Sequence, residues 1–117
     1  MVLKGFIDMR IWVDDIRPAP EGYTWCRSVD ETKLVIVHSE ICLNDNPELA
    51  KEWAIELIDL DHDAGDYARF GGGDYIRILD WLEETGRNYP IRIHSQNPVG
   101  VQNMRRIIEK NGWEEIR

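Results

Sequence analysis

Short apolar runs alternating with stretches of helical spacing are what most constrain how this chain folds. Met9-Arg-Ile-Trp-Val13 is an apolar-rich run closed by Asp14-Asp15 and reads as a first strand. Arg17 to Gly22 contains Pro18 and Pro20 and reads as a loop, with Tyr23 to Arg27 a second, shorter strand. Ile55-Glu-Leu-Ile-Asp-Leu60 is a mostly apolar run suited to the middle of a sheet, and Pro90 to His94 gives another strand. Between them, Tyr75, Ile78, Leu79 and Leu82 recur at helical spacing until Gly86 stops the helix. Asn97-Pro98 starts a last helix, with Val101, Met104, Ile107 and Ile108 on its buried face and Asn111-Gly112 at its end. Trp113 to Ile116 is a fifth edge strand or a packed tail.

The segment after Ser28 is ambiguous. Leu34-Val-Ile-Val37 is rich in β-branched residues and suits a strand, but Ser28 and Glu31 have capping-box spacing, which favours a helix. Asn46-Pro47 repeats the cap-then-proline start, so Glu48 to Trp53 is expected to add a turn or two. Trp53 and Trp81 are most simply core residues.

Alternating strands and helices imply an α/β fold with a mainly parallel sheet and helices on both faces. At 117 residues the chain is expected to form a single domain over 1–117. Its 43% hydrophobic and 31% charged residues are ordinary globular composition, with no apolar run near the ~20 residues that span a bilayer. Met1 to Asp8 lacks the features of a signal peptide, and Cys26 and Cys42 have neither metal-ligand spacing nor a disulfide framework, so a cytoplasmic protein is expected. A formal net charge of −8 argues against non-specific DNA binding but leaves room for a nucleotide in a locally balanced pocket.

Three strands end in the same polar chemistry: Asp14, Asp15 and Arg17 after the first, Asp61, His62 and Asp63 after the central one, and His94, Ser95 and Asn97 after the later one. The carboxyl ends of parallel strands share one edge, where ligands bind, so these clusters are expected to form one pocket. Asp14, Asp15 and Asp61 are oxygen donors suited to Mg²⁺ or Mn²⁺. An isolated Asp-Asp pair more often merely solvates a strand end; its echo at a second strand end turns the reading towards a site. His62 and His94 can exchange protons near neutrality and divide acid and base roles, with the surrounding aspartates favouring imidazolium, whereas His38 is read as structural. Ser95 through Gly100 enters a helix N-terminus, whose free backbone donors suit phosphate, and Gly100 would allow close approach.

Asp14-Asp-Ile-Arg-Pro18, Leu60-Asp-His-Asp-Ala-Gly65 and His94-Ser-Gln-Asn-Pro98 resemble the motifs of the cyclic-phosphate processing receiver domain family, in order, over about Met9 to Gly112. The resemblance implies a compact receiver-like (flavodoxin-like) three-layer sandwich with a mainly parallel sheet of four or five strands. It also implies a role in processing cyclic phosphates of nucleotides or RNA ends. By the same resemblance Asp14 and Asp15 match the acidic dyad of ordinary receivers, Asp61 their phosphorylated aspartate and Ser95 a residue near their hydroxyl sensor. No lysine ends a clear fifth strand, where receivers place one, and His62 and His94 are not part of the receiver phosphotransfer set. The segment from Ile41 to Trp53 looks enlarged beside other members.

The expected function is a small phosphoesterase acting on nucleotide or RNA-end cyclic phosphates. One of His62 and His94 would activate water and the other protonate the departing oxygen, with Asp61 beside them. Arg17, Ser95 and Asn97 would hold the phosphate, and a Mg²⁺ or Mn²⁺ ion would offset the aspartates. The alternative is a non-hydrolytic module that binds metal or accepts a phosphoryl group on Asp61.

Overall fold

The computed structural model describes residues 9–49 and 53–117. Five strands, β1 (Met9–Val13), β2 (Tyr23–Cys26), β3 (Ile55–Leu60), β4 (Ile91–Ile93) and β5 (Glu115–Ile116), form one sheet in the order β2-β1-β3-β4-β5, every pair parallel. Helices α1 (Val29–Asp45), α2 (Tyr67–Phe70), α3 (Ile76–Glu84) and α4 (Pro98–Asn111) lie between them. This is the expected α/β class, a parallel sheet flanked by helices in flavodoxin-like order. The tail at Trp113 to Ile116 does supply a fifth strand, paired with β4.

The ambiguous stretch is helical. Ser28 Oγ accepts from the Glu31 N–H at 3.0 Å, as a cap should, but Glu31 Oε1 reaches past the cap to the Arg27 N–H at 2.7 Å. Val29, Thr32, Ile36 and Ser39 are buried at helical spacing while Leu34 is exposed, so burial follows the helical period and not strand alternation. After it, Pro47–Leu49 forms a 3-10 turn; the rest of the extra helix expected before Trp53 falls on residues 50–52, outside those described. Trp53 and Trp81 are half-buried at the margin, and Trp113, 9% exposed, is the tryptophan in the core.

Strand register aligns one apolar face. Ile11, Ile58 and Ile91 stand level across β1, β3 and β4, and Val13 is level with Cys26 and Leu60. These side chains pack with Ile36 of α1, Ile78, Leu79 and Leu82 of α3, and Met104 and Ile108 of α4 in one buried cluster. Burial pushes the Cys26 thiol up to about 12, so it is an inert core residue.

Topology explains why these helices share a face. The steps β2 to β3, β3 to β4 and β4 to β5 all run the same way across the sheet, so right-handed crossovers place α1, α3 and α4 on one side. The step from β1 to β2 runs the other way and is made by the Asp14–Gly22 loop without a helix. It passes on the opposite side, where Trp12 Nε1 donates to the Arg17 carbonyl at 2.8 Å. Of the expected three-layer sandwich, the three long helices α1, α3 and α4 therefore pack on one face of the sheet. The other face carries a row of Trp25, Trp12, Asp59 and Arg92 set by register. No described helix is long and apolar enough to cross a membrane.

Candidate functional site

The sheet's hydrogen-bond ladder continues past the strand ends and sets the rim. Asp14 N–H donates to Cys26, Asp61 N–H to Val13 and His94 N–H to Leu60, each at 3.0–3.2 Å. The three polar clusters thus emerge side by side from β1, β3 and β4, at the strand carboxyl edge where such sheets bind ligands.

Asp14 is the keystone, only 1% exposed. Its Oδ1 accepts the Ile16 and Arg17 backbone N–H groups at 2.9 and 2.8 Å, and its Oδ2 meets His94 Nε2 at 2.9 Å. Burial pushes its carboxyl up, but the two backbone donors and the His94 ring outweigh burial and hold it below its ordinary value. Arg17 spans the cluster, with Nε 3.3 Å from Asp14 Oδ2 and Nη2 3.5 Å from Asp61 Oδ2. Asp61 also accepts the His62 N–H through Oδ1 at 2.7 Å.

His94 is held on every side. Nδ1 lies 2.7 Å from Asp59 Oδ1, and the ring is stacked on Trp12 with centroids 3.8 Å apart and planes 4° from parallel. Two carboxylates, acceptors only when ionised, face the two ring nitrogens, an arrangement that suits an imidazolium donating both ways. Arg92 Nη1 stands 3.4 Å from the second Asp59 oxygen. Asp59 is fully buried in the centre of β3 and was not among the residues singled out from the sequence. Its signal was there to find, since a carboxylate in the middle of an apolar central strand is rarely left without a partner.

His62 is placed differently. Its Nδ1 meets Asp63 Oδ1 at 2.7 Å, and Nε2 has no partner among the described residues. The ring packs against Gly100 in the first turn of α4, where a Cβ would lie 2.5 Å from its Cγ. Asn97 caps that helix by accepting the Gly100 N–H at 3.0 Å, and its Nδ2 reaches Asp63 at 3.3 Å. Ser95 Oγ accepts the Asn97 N–H at 3.1 Å, so the hydroxyl shapes the turn before the cap. Asp74, another residue the sequence reading passed over, clusters with His62 and Asp63 and holds the Ala64 N–H at 2.9 Å.

Asp14, Asp15 and Asp61 each bring one carboxylate oxygen within 4.8 Å of the others. Three hard oxygens at this spacing fit a Mg²⁺-like ion. Asp15 titrates above its ordinary value, first because it is partly buried and then because Asp14, Asp61 and Asp63 repel its charge. The two neighbours have opposite linkage. Asp14, lowered on folding, contributes stability above its unfolded value that is lost as pH falls through its folded one. Asp15, raised on folding, favours the fold below its unfolded value, and that contribution is lost as pH rises through the folded one. In chelated buffer Asp15→Asn is therefore expected to gain about 0.5–2 kcal/mol at pH 7, a gain that vanishes at pH 3. Urea melts at both values check this; an equal gain at pH 3 would discard the charge explanation.

A family model described as the Cyclic-phosphate processing Receiver domain matches residues 9–110. No curated protein and no solved structure matches the chain.

Proposed function

The chain belongs to the Cyclic-phosphate processing Receiver domain family, and from that premise we propose that it hydrolyses cyclic phosphates of nucleotides or RNA ends at this rim. The observation that carries the reading is the His62–Asp63 pair, whose 2.7 Å link leaves Nε2 without a partner among the described residues while the ring packs on the start of α4, one residue on from the Asp61 that Arg17 reaches. Asp63 holds the proton on Nδ1, which makes Nε2 the basic nitrogen. Nε2 takes a proton from water as the water oxygen bonds to phosphorus. One ring ester P–O bond then breaks, and the same proton passes to the departing oxygen, leaving a phosphate monoester.

One imidazole serving both halves departs from the expected division between His62 and His94. Both nitrogens of His94 are occupied by buried carboxylates, so in this reading it is a counter-charge beneath the rim. Arg17 and the α4 N-terminus take the non-bridging phosphate oxygens. Pro98 has no N–H and Asn97 occupies that of Gly100, which leaves the Val99 N–H and the helix dipole for the anion. A divalent cation held by Asp14, Asp15 and Asp61 would supply charge neutralisation and polarise a phosphoryl oxygen.

The surroundings suit a nucleoside. Ile16 on the β1–β2 loop, Tyr67 and Phe70 on α2 and Val99 in the first turn of α4 are four of the seven exposed large apolar side chains among the described residues. Exposed aromatic faces beside a phosphate site suit the stacking of a base.

The test is a panel of 2′,3′- and 3′,5′-cyclic nucleotides with and without Mg²⁺ or Mn²⁺, followed by phosphorus NMR. Conversion of a cyclic phosphate to a monoester is expected; no turnover under any condition would end the proposal. An intact-mass adduct from a small phosphodonor, absent in Asp61→Asn, would instead favour signalling. Gly100→Ala gives a sharper check. The added methyl must displace the His62 ring while improving helix propensity by up to about 1 kcal/mol. Turnover is expected to fall at least about tenfold in a protein that still folds, as misplacement of a reacting group does; unchanged turnover would show that the ring position is irrelevant.

A further inference from the structure

We infer that Arg17 is an internal counter-cation that competes with a divalent ion for Asp14 and Asp61 and is released towards phosphate when the ion binds. This rests on reading the rim as a phosphate site, although its test uses no turnover.

The guanidinium bridges the very carboxylates that a cation would use. Nε lies 3.3 Å from Asp14 Oδ2 and Nη2 3.5 Å from Asp61 Oδ2, and these two residues and Asp15 carry the oxygens that cluster within 4.8 Å. The remaining oxygen of each bridged carboxylate is committed elsewhere. Asp14 Oδ1 holds two backbone N–H groups and Asp61 Oδ1 holds the His62 N–H. An entering ion therefore contends with the guanidinium for Oδ2 of both residues, at Asp14 beside the His94 Nε2 that already lies 2.9 Å from that oxygen, and charge as well as space opposes their sharing it.

Arg17 is able to leave. Its side chain is 46% exposed, whereas its backbone is tied down through its N–H to Asp14 and its carbonyl to Trp12 Nε1. The head swings on an anchored stem and keeps its five donors, two of which match a phosphate oxygen pair. In the metal-free protein it offsets acidic repulsion, and in the loaded protein it faces the anion beside the ion. Metal and phosphate then bind with positive coupling, part of which is the freed guanidinium.

Titration with Mn²⁺ alone, read by the electron paramagnetic resonance of the free ion, tests this on the intact chain. Arg17→Met keeps the backbone links and most of the side chain's bulk while removing the charge. It is expected to bind Mn²⁺ about three- to tenfold more tightly than the parent, the scale of losing one or two partly exposed ion pairs, with Arg17→Lys close to the parent. Inorganic phosphate is expected to tighten Mn²⁺ binding less in Arg17→Met than in the parent. Unchanged or weaker Mn²⁺ binding by Arg17→Met, or no binding by either protein, would overturn the inference. Turnover of cyclic phosphates with such a result would leave the proposed function standing, and tighter Mn²⁺ binding without turnover would do the reverse. A urea melt of Arg17→Met close to that of the parent is the folding control, and a collapsed melt would overturn the picture of a dispensable, swinging head.

Discussion

Replacing His94 by alanine is expected to cost about 3–5 kcal/mol of folding stability, the scale for removing one partner of a buried ion pair. Asp14 and Asp59, 1% and 0% exposed, would lose the ring that faces both of them, and Trp12 would lose the surface on which it stacks. Asp59 would keep only Arg92, at 3.4 Å, and Asp14 its two backbone donors and the half-exposed Arg17 head. Against a total stability of about 5–15 kcal/mol for a small domain, such a loss brings the chain close to unfolding. A urea or thermal melt measures it directly. A loss below about 1 kcal/mol would mean that the three-residue stack is not held as described, and His94 would then return to candidacy as a proton carrier.

His62→Ala is expected to show the converse, a fall in turnover of roughly 10²- to 10⁴-fold, the usual weight of a positioned acid–base group. Stability should change much less than in His94→Ala. The His62 ring packs on Gly100 and its one side-chain partner, Asp63, is itself 60% exposed, so no buried charge is stranded. Asp63→Asn should follow in milder form, because an amide nitrogen turned towards Nδ1 favours the wrong tautomer. Steady-state rates on whichever cyclic phosphate is turned over separate the two histidines. Full activity in His62→Ala would remove the base from the proposed chemistry, and activity loss in His94→Ala is informative only under conditions where the melt shows it folded.

Much of the architecture was legible because each strand declares its end. Runs such as Met9–Val13 and Ile55–Leu60 pass abruptly into aspartates, and in a parallel sheet all such ends lie on one edge. The helix over Leu34 to Val37 was decided by the Ser28 cap, a local signal that outweighed β-branched propensity. What could not be read was pairing at a distance. Asp59 and His94 are 35 residues apart and Asp14 and His94 are 80 apart. Their meeting depends on β1, β3 and β4 lying adjacent in one register, which no single segment encodes. For that reason His62 and His94 looked equivalent as sequence, although one is pinned at both nitrogens and the other at one. The placing of helices was similarly hidden, since it follows from strand order and from a first connection too irregular to be a helix.

That first connection has a further consequence. A crossover helix would have locked Asp14 to Arg17 in place with a buried apolar stripe. The chain instead hangs this segment from two indoles, with Trp12 Nε1 donating to the Arg17 carbonyl and Trp25 Nε1 to the Asp14 carbonyl, each at 2.8 Å. Such tethers are worth about 1 kcal/mol apiece, and the firm hold on the lip is Asp14 itself, buried and joined to the His94 ring and to β2. The working edge is thereby seated by polar links instead of an apolar stripe, and through Asp14 it shares a residue with the buried cluster of the folding unit that carries it.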